Sequence, residues 1–288
     1  MIECGPVECH PIECHPIEYD GQRLDGVHSM GLSDQATAGA AAAIWAAWAG
    51  GYQLTELAEE LRPVEPIDGW AVGQALAGHA GTSYGYKIAA TSTAGQAHIG
   101  VGGPLPGPLF DRFRREPGSV LPSAELFMRV VEAEFAFRMA RDVPAGATPD
   151  QVLDSIGALH LAIEVPDSRF EHFERAGEAV LLADGACAGW FVLGPEVSGW
   201  RDLDLVGQAT QLCINDELAA TGRGANVLGD PLAAMVWVAG QLERFGTGLR
   251  AGEVVTTGTT TAPPRIGPGD AVRADFGALG SVAASFAP

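Results

Sequence analysis

Positive charge is what this chain has least of. Lysine and arginine number 17 against 36 aspartates and glutamates, a formal charge of −19, and they form no basic stripe. Nucleic acid and anionic membrane surfaces are bound through clustered Lys and Arg, so neither is expected as a partner. Long apolar runs are also scarce. The longest alanine-rich one, AGAAAAIWAAWAG at residues 38–50, is too short to span a bilayer and has no basic segment before it. It reads as a helix of a globular domain rather than a signal peptide or anchor, and the expected compartment is the cytoplasm. No G-x-x-x-x-G-K-[ST] is present and no G-x-G-x-x-G follows a strand, so nucleotide binding has no support.

What is present describes a folded, turn-rich chain: 47% hydrophobic residues with 38 glycines and 19 prolines among 288 residues. Cys187 and Cys213 lie in apolar, strand-like runs and read as buried thiols. Cys4, Cys9 and Cys14 belong instead to a five-residue repeat, IECGP VECHP IECHP IEYDG, over residues 2–21. Thiolate and imidazole are zinc ligands, yet the spacing is neither C-x2-C nor H-x3-H, and prolines prevent a helix from gathering the side chains. A short exact repeat is also what tandem duplication leaves, and Met30 opens a more ordinary sequence. Residues 1–30 are therefore expected to be a disordered or non-native repeat tail.

Helical signals fill residues 31–80. Ser33 or Asp34 caps a helix that Gly50-Gly51 stops, TELAEEL at 55–61 continues as a short helix before Pro63, and a third helix runs from Asp68 to about Ala80. After Gly81 short β-rich runs follow, separated by glycine and proline: YKIAA, FMRVVEAEFAFRMA, LHLAIEV, EAVLLA, GWFVLG, DLVGQATQLCI, GEVVTTG and AVRADFG. One helix follows Pro149 and another runs from Pro231 to about Phe245. The pattern predicts a β-rich α+β chain with two sheets over a core, a helical N-terminal cap at 31–80 and a β-rich domain at 81–288.

Within VEAEFAF (131–137) Glu132 and Glu134 stand one residue apart in an apolar run. In a strand, residues i and i+2 share a face about 7 Å apart, so both carboxylates point one way and repel unless water or a cation lies between them. A solvated strand face and a metal site fit that spacing equally well.

Seven strings in order resemble one family. GYKIAATS (85–92), VEAEFAF, IEVPDSR (163–169), LLADGACAGWFVLG (181–194), TGRGANVLGDPL (221–232), AGEVVTTGT (251–259) and PGDAVRADFGALGSV (268–282) are similar to the fumarylacetoacetate hydrolase superfamily, in its branch of 2-oxopent-4-enoate hydratases and 4-oxalocrotonate decarboxylases. The resemblance spans residue 31 to the C-terminus. It implies rolled mixed β-sheets, and a divalent cation, Mg²⁺ or Mn²⁺, held by Glu132, Glu134 and Glu164. Three carboxylate oxygens with further positions left for substrate suit such a hard ion. It implies Lys87 as a catalytic and substrate-binding lysine, Thr257, Gly258 and Thr259 as a substrate-contacting turn, and weaker substrate-side roles for Ser168 and Arg169; Asp167 beside them reads, apart from the resemblance, as a helix cap and salt-bridge residue.

The implied substrate is a small 2-oxo or 2-hydroxydienoic acid that chelates the cation through its C1 carboxylate and C2 oxygen. Charge then spreads as a dienolate, which serves either loss of a distal carboxylate or addition of water. Hydratases of the branch carry Asp-Phe-Gly where this chain has Leu105-Pro106-Gly107. That loss of an acid, together with Ala183-Asp184-Gly185 for Ala-Asp-Asn, places decarboxylation slightly ahead of hydration and puts Leu105 on the substrate side. Acylpyruvate-type C–C hydrolysis and a catalytically inert partner subunit are the alternatives. His98 and His160 are available to hydrolysis as bases, though in no motif. The family also implies a homo-oligomer, and admits a hetero-complex with a related lyase.

Overall fold

Capping chemistry sets the ends of the first and last long helices where the sequence placed them, while the helix expected from Asp68 to about Ala80 starts at Pro66 and is broken at Leu76. The computed structural model describes residues 31–288, and Gly31–Pro288 is one compact unit; the repeat tail lies outside the described residues. Helix α1 (Asp34–Gly50) starts where the Ser33 hydroxyl accepts the Ala36 N–H, and stops at Gly51 in the left-handed region, φ 64°. Helices α2 (Pro66–Ala75) and α3 (Ala77–Ala80) follow. TELAEEL forms only the 3-10 turn Glu59–Leu61.

The strands and later helices are β1 (Ser83–Ala89), α4 (Thr93–Ile99), β2 (Leu105–Phe110), β3 (Arg114–Arg115), β4 (Val120–Leu121), β5 (Glu132–Met139), α5 (Pro149–Asp154), β6 (Ile156–Val165), α6 (Glu178–Ala183), β7 (Trp190–Glu196), β8 (Ala209–Ile214), β9 (Glu217–Arg223), α7 (Pro231–Arg244), β10 (Val254–Thr259), β11 (Ala271–Asp275) and β12 (Ser281–Phe286). EAVLLA, expected as a strand, is helix α6. Its alanines and leucines are strong helix formers with no alternation of polar and apolar, and its buried residues Ala179, Leu181, Leu182 and Ala183 pack against the rest of the chain. Strands β2, β9 and β12 and helix α4 carried too weak a pattern to be anticipated.

A seven-stranded mixed sheet, ordered β2-β1-β10-β5-β6-β7-β3, and a five-stranded one, β4-β12-β11-β8-β9, make the two layers. The larger sheet is rolled. Its edge strands β2 and β3 are separated in sequence only by the 3-10 turn Asp111–Phe113, and the Arg114 guanidinium of β3 lies 5.4 Å from the ring centre of Tyr84 on β1. The outer face packs on α7 and the second sheet, with Phe135, Phe137, Leu159, Leu161, Val238, Val272 and Phe276 in the main core. The inner face carries a small separate cluster of Leu109, Ala136, Ala162, Phe191, Leu193 and Val254, with Tyr84 against it. A register shift between Ser83 and Gly85 turns Tyr84 to that inner side, as a bulge does.

Helix α2 approaches α6 through Gly69 and Gly73, four residues apart on one helix face. A Cβ on Gly69 would stand 2.0 Å from the Ala179 carbonyl oxygen, and one on Gly73 2.5 Å from that of Leu182. We predict that Gly69→Ala destabilises the fold by about 1–3 kcal/mol through overpacking, more than the roughly 1 kcal/mol that alanine's helix propensity contributes. Urea unfolding reads this directly, and an unchanged or raised midpoint would contradict the packing.

Candidate metal centre

Strand pairing assembles the carboxylates. In the β5–β6 register Glu132 faces Glu164 and Glu134 faces Ala162, so alternation puts all three glutamates on the inner side of the roll. One ligand oxygen from each lies within 4.8 Å of the others. Glu134 and Glu164 are fully buried, and Glu132 is half-buried.

Lys87 enters from β1. The parallel β1–β10 register sets it beside Thr256, and its Nζ lies 3.1 Å from Glu164 Oε1 with the side chain 3% exposed. Burial by itself favours the neutral amine, but Glu164, Glu132 and Glu134 outweigh it and hold the ammonium charged well above the usual lysine range. The carboxyls are pushed the other way. Burial and then Glu164 raise Glu132 to about 7; burial, Glu164 and Glu132 raise Glu134 well above its usual value; and burial raises Glu164 against the pull of Lys87.

One oxygen of Glu134 is locked. The Thr256 hydroxyl donates to Oε2, and the Gly258 N–H donates to the same atom at 3.0 Å. Oε1 of Glu134 and Oε2 of Glu164 are buried with no partner among the described residues. Three carboxylates against one ammonium leave a formal charge of −2, with buried oxygens free and turned inward. This donor set fits a hard divalent cation, and poorly fits a thiol-preferring one.

The other expected site residues fall in different places. Thr257 donates to the Phe135 carbonyl at 3.1 Å, and Thr259 to that of Thr261 at 2.9 Å; strand alternation instead gives the site Thr256, which no motif singles out. Gly258, expected to let the backbone approach a ligand, is at φ +100°, and a Cβ there would stand 2.1 Å from Thr91 Oγ1. Its N–H goes to Glu134.

Ser168 and Arg169 form a buried network with Asp184. Ser168 Oγ donates to Asp184 Oδ2 at 2.7 Å, Arg169 Nε pairs with Oδ1 at 2.5 Å, and Arg169 Nη1 donates to the carbonyls of Asp167 and Ala188, each at 2.6 Å. Trp48 covers the guanidinium at 3.9 Å. With these donors taken up by the protein, both residues hold the segment after β6 in place rather than face substrate. Asp167 accepts the N–H groups of Phe127 and Met128 at 2.9 and 2.8 Å, so it anchors a loop and caps no helix.

Leu105 is buried in the main core cluster, outside the inner one. Cys213 lies in β8, but Cys187 sits in a 3-10 turn rather than a strand, and burial pushes its thiol up to about 12. His98 is exposed on α4. The string GTSYG at 81–85 has the G-x-S-x-G form, but it opens β1 and Ser83 Oγ donates to the Gly85 carbonyl, so it makes no nucleophile elbow.

Residues 93–287 match the fumarylacetoacetate (FAA) hydrolase C-terminal family. The chain belongs to that family. It is 38% identical over 204 residues to the 2-keto-4-pentenoate hydratase of Burkholderia vietnamiensis, covering 70% of this chain and 77% of the relative. Hydratase 1 of Dechloromonas aromatica is 33% identical over 258 residues, or 87% of this chain and 97% of the relative. The 4-oxalocrotonate decarboxylase of Pseudomonas putida is 33% identical over 203 residues, 70% and 76%. Among solved structures, the 4-oxalocrotonate decarboxylase of Pseudomonas putida G7, complexed with magnesium and adipate, superposes with a TM-score of 0.82 at 27% identity, covering 88% of this chain and 98% of that one. The same enzyme complexed with calcium and acetate gives 0.80.

The raised carboxyl values fix a sign. A carboxyl that holds its proton more tightly in the fold contributes stability below its unfolded value, near 4.5, and loses it as pH rises through the folded value, about 7 for Glu132. Without metal the fold therefore weakens from acid to neutral pH, while cation binding, which displaces those protons, strengthens. Calorimetric titration with Mn²⁺ should give tighter binding at pH 8 than at pH 6, by about tenfold per pH unit for each proton displaced. Thr256→Val should weaken binding about 10–100-fold at both. Binding that is indifferent to pH and to Thr256 would contradict this geometry.

Proposed function

We propose that this member of the family is a divalent-metal-dependent lyase acting on a small 2-oxo or 2-hydroxydienoic acid. The observation that carries the reading is the buried cluster of three carboxylates with free oxygens, neutralised in part by one buried ammonium. Glu132, Glu134 and Glu164 would hold Mg²⁺ or Mn²⁺, and Thr256 and Gly258 fix the rotamer of Glu134. When bound, the cation supplies Lewis-acid polarisation of a 2-oxo group and balances the charge of the acid head.

The remaining work belongs to the chain. Lys87 Nζ, held charged beside Glu164, would face the substrate carboxylate and give and retake a proton next to it. Phe191, Leu193, Leu109 and Val254 exclude water from the inner wall, so the charge that develops is met by fixed groups rather than by solvent. Substrates of the relatives, 2-keto-4-pentenoate and 4-oxalocrotonate, have this acid head in common, and the support for carrying it over is the shared fold and identity.

Leu105, on which the expected preference for decarboxylation rested, is packed into the main core. We infer hydration as the leading outcome instead, because the inner wall carries a buried imidazole, His160, with a bare nitrogen. Decarboxylation is the second reading, favoured by the otherwise apolar inner cluster, which would desolvate a distal carboxylate.

Purified protein given 2-hydroxypenta-2,4-dienoate or 2-oxohex-3-enedioate should turn over at least one of them, lose activity in EDTA and regain it with Mg²⁺ or Mn²⁺. Glu164→Gln should abolish that turnover. Activity indifferent to chelator, or intact in Glu164→Gln, would end the proposal.

A further inference from the structure

His160 lies on β6, four residues before Glu164 and two before Ala162, so strand alternation points all three to the inner side of the roll. The ring is buried, 9% exposed. Its Nδ1 lies 2.9 Å from the Gly194 carbonyl oxygen. A carbonyl only accepts, so Nδ1 carries the hydrogen, and in the neutral imidazole Nε2 is left as a bare lone pair. That Nε2 is buried and has no partner among the described residues. A buried acceptor left open beside the apolar cluster of Ala136, Ala162 and Leu193 calls for a donor that arrives from outside.

Three features place that donor beside the carboxylates. Glu134 faces Ala162 across the β5–β6 register, so His160 is its diagonal neighbour, at about 7–8 Å between backbones. The side chains that flank this diagonal on the same face are Ala136 and Ala162, among the smallest available, and they put no bulk between Nε2 and the carboxylates. On its other side His160 pairs with Glu196 of β7, whose carboxylate meets Arg138 at 3.1 Å with both side chains exposed. The sheet thus reaches solvent at the neighbouring pair, while Nε2 itself is buried. The ring is held through Nδ1 by the Gly194 carbonyl at the point where the β6–β7 register shifts. Glu196, Arg138, Glu132, Glu134, Glu164 and Lys87 are charged groups on this face.

We propose that His160 is the catalytic base of the reaction, the group that takes a proton from water as it adds to the substrate. The inference rests on the lyase reading and deepens it, since it replaces the acid that Leu105-Pro106-Gly107 lacks. With the acid head at the three glutamates, the distal carbons extend toward Nε2. Water donates one proton to Nε2 while its oxygen forms the bond to C4 of the 2-oxo-3-enoate. The C3=C4 electron pair moves to C2–C3, placing negative charge on the C2 oxygen. A proton taken from solvent at C3 re-forms the ketone, and the imidazolium returns its proton to solvent, so the exchange of protons balances. One water is consumed, and no oxidant or further reactant is required.

The test uses the full chain loaded with Mg²⁺, 2-hydroxypenta-2,4-dienoate in D₂O, and NMR. His160→Asn keeps a side-chain N–H for Gly194 but has no equivalent of Nε2; His160→Ala removes both and opens room for added imidazole. The wild type should exchange substrate C–H for deuterium and form the 4-hydroxy-2-oxo acid. Both variants should keep exchange and Mn²⁺ affinity while hydration falls about 10²–10⁴-fold in kcat, with partial rescue of His160→Ala by imidazole. A merely structural histidine would lower exchange, metal affinity and hydration together. Hydration retained within a few-fold in both variants overturns the proposal. So does a wild type that exchanges and decarboxylates 2-oxohex-3-enedioate without hydrating, an outcome that leaves the lyase reading standing. A wild type that neither exchanges nor turns over either acid overturns both.

Discussion

Mutual repulsion among three clustered carboxylates, two of them fully buried, sets the terms for their surroundings. Glu132 and Glu164 are direct partners across a strand pair, an arrangement that costs stability unless protons, an ammonium or a cation stand between them. The neighbouring residues make sense as responses to that cost. A lysine sits in the interior of β1, where lysine is otherwise unusual, and its charge survives burial only because the carboxylates are there. The left-handed backbone at Gly258 brings an N–H onto Glu134, and Thr256 adds a hydroxyl to the same oxygen. Two hydrogen bonds to one oxygen leave the other free to bind.

The roll of the larger sheet turns this local chemistry into a site. An open sheet would expose the glutamates to water, which would screen them and weaken their hold on one another. Curling until Arg114 meets Tyr84 converts one sheet face into an interior wall, lined by small and apolar side chains and plugged near Lys87 by the turn that Arg169 and Asp184 secure. That ion pair is a scaffold: it keeps the segment from Asp167 to Ala188 in place while using no donor on substrate.

Much of this was legible in the sequence, for identifiable reasons. The i, i+2 spacing in VEAEFAF puts two carboxylates on one face by strand alternation alone, but it cannot distinguish water from metal; Glu164 enters only through the family resemblance, because strand pairing across 32 positions leaves no local trace. Helix ends at Ser33, Gly51 and Asp230 are readable from capping residues. EAVLLA misleads because a short apolar run does not declare its period. TTGT points to the right segment and the wrong threonine, since parity in β10 depends on a register shift between Thr256 and Thr259. The inward position of His160 follows from extending the alternation back from Glu164, whereas the inward turn of Tyr84 depends on a bulge that no spacing shows.

The central claim is that Glu132, Glu134 and Glu164 hold one divalent cation. Anomalous diffraction from a Mn²⁺-loaded crystal of the full chain tests it most directly. The account predicts a single strong peak on the inner side of the roll, with one oxygen of each glutamate at about 2.0–2.3 Å and Oε2 of Glu134 still bonded to Thr256 and Gly258. No peak there, or a peak coordinated by fewer than three of these glutamates, would contradict it.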